Sequence, residues 1–158
     1  MSMDLIAALG EKMVHLDKMR QHLNYSYQQV KTWWSVAANF DGWNEEQLES
    51  LAAFKARFSE LQDHIGSAMR LIAQIEEEDT RQFTYVLNYM SKLYIIDGVE
   101  QWLELRALRN AATHDYSASE ATKAMHFHQL LQNTEYLFNV LNALSEFIKT
   151  AYPSLKEK

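Results

Sequence analysis

Between Leu51 and Ile75 the residues Leu51, Phe54, Phe58, Leu61, Ile65, Ala68, Ile72 and Ile75 recur at steps of three and four without a miss. That spacing follows the turn of an α-helix and sets all of them on one face, whereas a half-buried strand would alternate by two. It is the strongest helical signal in the chain, and no strand pattern outlasts it. Asn44 and Gln47 stand in front of it in capping-box spacing. The acidic run Glu76–Asp79 follows it. Carboxylates are unfavourable at a helix C-terminus and favourable at an N-terminus, so the run marks a boundary, with Asp79 and Gln82 expected to cap the next element.

The rest of the chain reads the same way. Four glycines and one proline in 158 residues leave little material for turns, so few long elements with short connections are expected. A first helix is predicted from near Asp4, with Leu5, Leu9, Leu16, Met19, Leu23, Val30 and Trp33 in helical steps and Ile6, Met13, Tyr27 and Trp34 beside them. Gly10 costs about 1 kcal/mol against alanine inside a helix, which leaves a later start open. The Asp41-Gly42 turn signal ends this helix by Asn39. Trp33, Trp34 and Trp43 gather around that turn, as packing or as a partner surface. A third segment carries Phe83, Val86, Leu87, Met90, Leu93 and Tyr94, is interrupted at Asp97-Gly98, and resumes with Val99, Trp102, Leu103 and Leu108 on its apolar side. Asp97 and Glu100 are placed to cap the second piece. Ser117 and Glu120 are placed to cap a last helix holding Ala121, Ala124, Leu131, Leu137, Phe138, Leu141, Leu144 and Ile148, closed by Pro153. The sum is one all-α domain over residues 1–158, an antiparallel four-helix bundle with a broken third segment.

One stretch does not read as scaffold. Arg106 to Tyr116, R-A-L-R-N-A-A-T-H-D-Y, packs two arginines, an asparagine, a histidine, an acid and a tyrosine among small and apolar residues. Arg106, Asn110 and His114 fall at i, i+4 and i+8, one face of a helix. Arg109 and His114 are five apart, which an ideal helix separates, so either the helix loosens or the pair converges with a second copy. Arginine offers a planar fork of donors for phosphate, and histidine exchanges protons near neutral pH. Together they suit metal-free phosphodiester chemistry. His114 would handle the proton of a ribose 2′-hydroxyl, and Arg109 would stabilise charge growing on phosphorus. The same residues also suit a structural role, bonding the last carbonyls of a helix and complementing its dipole.

Other chemistries find less support. Without cysteine there is no disulfide framework, thiolate metal site or cysteine nucleophile. Neither His-x3-His nor H-E-x-x-H occurs, so no metal is expected, and no glycine-rich phosphate loop or nucleophile elbow suggests a cofactor. The formal charge, 15 − 21 = −6, disfavours a generic nucleic-acid surface while leaving room for a local basic site. The N-terminus lacks a basic, then apolar, leader and no window reaches a membrane span, so a soluble cytoplasmic protein is expected.

R-N-A-A-T-H-D-Y resembles the R-x4-H-x-Y motif of HEPN domains, in which asparagine commonly follows the arginine. F-S-E-L-Q-D-H-I-G-S-A and D-G-V-E-Q-W-L-E-L-R are similar to that family's second helix and to the approach to its motif, so the resemblance runs from about Phe54 to Leu144. It implies one of two things. The first is a dimeric, metal-independent ribonuclease toxin, with Arg109 and His114 catalytic, Asn110 supporting, and Tyr116 the hydroxyl to which a minimal nucleotidyltransferase antitoxin attaches AMP. The second is a non-catalytic substrate-binding companion of such a nucleotidyltransferase. Arg106 has no family role and joins the site through its spacing alone. A bare dimerisation bundle is a third reading.

Overall fold

The computed structural model describes residues 3–34 and 42–155. Among them the chain is all-α, with five helices and no strand: α1 (Met3–Lys31), α2 (Glu45–Ile75), α3 (Phe83–Lys92), α4 (Val99–Thr113) and α5 (Glu120–Ala151), followed by a 3-10 turn at Pro153–Leu155. The predicted third segment is thus two separate helices. Asn39, Phe40 and Asp41 of the expected first turn lie outside the described residues.

α1 runs unbroken through Gly10. A Cβ there would stand 3.0 Å from Leu155 Cδ2, so the glycine lets the C-terminal turn seat against α1. Leu9, Leu16, Leu23 and Val30 are fully buried, as is the α2 stripe from Phe54 through Ile72. Each leucine, isoleucine or phenylalanine among them contributes about 2–5 kcal/mol against truncation to alanine. Lys12 reaches His64 while Arg57 reaches Ser26, so α1 and α2 run antiparallel. Arg20 donates to Asn142, and the Tyr27 and Phe138 rings meet edge to face, which sets α5 antiparallel to α1 as well. α4 lies along α2 in the opposite sense, with Trp102 near Gly66 and Ala112 near Lys55.

The helix ends are where sequence and structure part. The Asn44–Gln47 capping box forms in both directions. Asp79 caps nothing; it forks with the Arg81 guanidinium, and this exposed pair lowers its carboxyl to about 2. α2 ends at Ile75, and in the turn that closes it the Glu78 N–H donates to Ala73 C=O and the Glu77 N–H to Gln74 C=O, with Glu77 at φ 61°. α3 ends the same way on Tyr94, also at φ 61°. In both cases a left-handed residue turns the chain without the usual glycine. Asp97 is likewise not a cap: Gly98 is the N-cap of α4, with no side-chain bond. Ser117 gives way to Ser119, whose hydroxyl accepts from the Thr122 N–H. No helix among the described residues is long and apolar enough to cross a membrane.

Candidate functional site

The Arg106–Tyr116 stretch forms the last turns of α4 and the turn that follows. α4 buries Trp102, Leu105 and Ala112 against α2 and α5. Leu103, expected on that apolar side, is 37 % exposed, and Leu105 takes the inner position. The end of α4 is tied from both sides. Lys55 of α2 donates to the Ala112 carbonyl at 3.1 Å, meeting an acceptor the helix leaves unpaired. Its ammonium also sits over the Phe127 ring of α5. Asp115 points inward, only 9 % exposed, and its Oδ2 lies 2.9 Å from His126 Nδ1 on α5. Polar flanking at Asp115 suggests an exposed loop in sequence; the partner eleven residues on turns this carboxylate into the protein instead.

The helix does not loosen between Arg109 and His114. It continues to Thr113, and His114 is its C-cap, its N–H shared between the Asn110 and Ala111 carbonyls. Five helical residues put the two side chains about 140° apart around the axis. Arg109 faces α2, where Nη2 lies 2.6 Å from Asp63 Oδ1 and Nη1 3.3 Å from Oδ2, with the arginine side chain 15 % exposed. His114 faces solvent, its ring edge to face with Tyr116 at 6.4 Å between centroids. Tyr116 is 78 % exposed, as its place outside the apolar stripes suggests. Asn110 is exposed on the His114 side of the helix, and its side chain makes no hydrogen bond to the imidazole. Arg106 is exposed and its guanidinium rests over the Phe83 ring at 5.5 Å, as does that of Arg70.

The structure therefore divides the predicted residues in two. His114 and Tyr116 come together on an open surface. Arg106 and Arg109 come together along a small cleft of about 100 Å³ between α2, the start of α3 and α4. Within or beside that cleft three polar atoms have no partner: Gln62 Nε2, Gln62 Oε1 and Arg109 Nε. A buried polar group left unpaired costs about 1–3 kcal/mol, so these atoms are expensive where they stand. Asp63, Gln62 and His126 are neighbours of the motif that sequence reasoning missed. Asp63 and Gln62 lie within the stretch of α2 that carries the helical stripe, and nothing in the local sequence marks either of them or His126. Among the described residues no group of three or more His, Asp or Glu side chains is arranged to hold a metal ion.

No family model, no curated protein and no solved structure matches the chain.

Proposed function

We propose that this chain is a HEPN-type toxin, a metal-independent endoribonuclease with an antiparallel bundle fold, working as a homodimer and neutralised by a nucleotidyltransferase that adds AMP to Tyr116. The observation that carries the reading is the exposed pair of His114 and Tyr116 at the end of α4. An imidazole kept for structure would be engaged with the protein around it; this one stands clear of it. In the reaction His114 takes the proton of a ribose 2′-hydroxyl as its oxygen bonds to phosphorus. The bond from phosphorus to the 5′-oxygen breaks, leaving a 2′,3′-cyclic phosphate, and the departing 5′-oxygen takes a proton from water. Arg109, released from Asp63 or supplied by the second copy, stabilises the charge on the phosphorus oxygens.

The 140° between Arg109 and His114 favours the second copy. So does the face of α4 that carries His114. Leu103, Ala107 and Asn110 share it and all are exposed, an apolar and small-residue surface on which another helix can lie close. The test is expression in a host cell. The wild-type chain should arrest growth, and His114→Ala or Arg109→Ala should each restore it. Arrest that persists in both variants would refute the assignment.

One observation favours the adapter reading instead. The donors of Arg109 that would take a phosphate already hold the Asp63 carboxylate, and the chain is acidic overall. A binding subunit would then present Tyr116 or a substrate to a nucleotidyltransferase without turning over RNA. The two readings separate in a ribonuclease assay on the purified chain.

A further inference from the structure

We infer that the cleft between α2, α3 and α4 is a base-recognition subsite that takes a single pyrimidine ring of the RNA strand; the inference rests on the RNA-cleaving reading and adds to it which base is read and by what. Three observations converge there. First, Gln62 lines the cleft at 2 % exposure with both amide atoms unpartnered. A helix interior normally leaves no such group unmet, and one amide offers a donor and an acceptor side by side. That is the complement of the paired donor and acceptor that every nucleobase edge carries, so the amide reads a base edge and the size of the cleft selects among bases. Second, the walls are flat: the Phe83 ring, the Trp102 indole, and the guanidiniums of Arg106 and Arg109. Unstacked RNA bases are held by stacking on aromatic rings and arginine planes while their edges are hydrogen-bonded. Third, the space is small. At about 100 Å³ it is well below a pocket for a whole drug-sized ligand, and it favours one ring over a fused pair.

Gly66 supports the same assignment. A Cβ at that position would stand 3.4 Å from the Phe83 ring and 4.0 Å from the Trp102 indole, so the backbone of α2 lies directly against the aromatic wall and leaves no room for a side chain longer than alanine. Arg106 is the movable part. It is exposed and rests on the Phe83 face, from which it can lift to let a base in and then stack on the outer face of that base. Arg109 sits on the same wall, its Nε unpartnered and its outer nitrogens on Asp63. A base in the cleft therefore brings its own phosphate beside the arginine assigned to phosphate, and the subsite and the reaction share one register along the strand.

The experiment is equilibrium binding of uridine, cytidine, adenosine and guanosine 5′-monophosphates to the purified full chain, which needs no turnover. Uridine or cytidine monophosphate should bind at least tenfold tighter than either purine. Gln62→Leu should weaken that binding about tenfold while its melting temperature holds or rises, because a leucine replaces an unpartnered amide. If Gln62→Leu does not fold, Arg106→Ala, at an exposed position, decides the matter and should also weaken binding. Absence of any nucleotide binding, which leaves only water in the cleft, overturns the inference, as do equal affinities in the variants or a preference for purines. Binding without RNA cleavage would sink the ribonuclease and spare the subsite; cleavage without nucleotide binding would do the reverse.

Discussion

Arg109 and His114 sit five residues apart on one helix and in opposite circumstances. The arginine is turned toward α2, mostly covered, and forked onto Asp63 at 2.6 Å. The histidine is turned to solvent at the helix end, with the Tyr116 ring beside it. One half of the motif is wired into the fold and the other is presented by it. A stretch can therefore be chemically uniform in sequence and split in function by the 3.6-residue turn. Residues on the inner side acquire partners from α2, and those on the outer side stay exposed to solvent.

Substitutions on the two halves should therefore separate activity from stability. His114→Ala is expected to lower RNA cleavage by about 10²–10⁴-fold, the usual share of a proton-transferring side chain, with unfolding free energy within about 0.5 kcal/mol of wild type because the site is exposed. A large loss of stability in this variant would erase the contrast.

The next effect lies inside the motif, between His114 and Tyr116. Asp115→Ala should cost about 1.5–3 kcal/mol, the range for a hydrogen bond to a charged group, because it unties the turn from His126. Chemical denaturation measures it. A change below 0.5 kcal/mol would mean that the turn is held by Lys55 and helix packing alone.

Asp63→Asn probes the inner half directly. The carboxylate competes with phosphate for the same donors, so loosening it should tighten binding of a single-stranded RNA by about tenfold or less, with a steeper salt dependence, since one more cation is free to neutralise phosphate. Weaker binding would instead make Asp63 the residue that aims Arg109.

The smallest expected change is Tyr116→Phe. Stability should stay within about 0.5 kcal/mol, while intact-mass spectrometry after co-expression with a nucleotidyltransferase should lose every AMP addition. Additions that persist in the variant place the modified group elsewhere.

The α2 stripe was legible because period and burial coincide along a single helix, and the Asn44–Gln47 box because both partners lie within four residues. The break near Asp97 was also legible, but its chemistry was not. The ends of α2 and α3 use Glu77 and Tyr94 in a conformation that glycine usually supplies, so no residue type announced them. Asp79 looked like a cap and is an ion-pair partner, because Arg81 donates to its carboxylate from both the guanidinium and the backbone N–H. At the site, the motif residues could be named from spacing and resemblance. Their division could not, since it depends on Asp63, 46 residues upstream of Arg109, and on His126 in the next helix. Those contacts exist only once α2, α4 and α5 pack.

The most direct measurement is cleavage of a single-stranded RNA oligonucleotide by the purified chain in excess EDTA, wild type beside His114→Ala. Cleavage by the wild type, with a loss of at least a hundredfold in the variant, is the expected result. No cleavage by the wild type, or equal cleavage by both proteins, would contradict the assignment of His114 and leave the chain as a binding subunit.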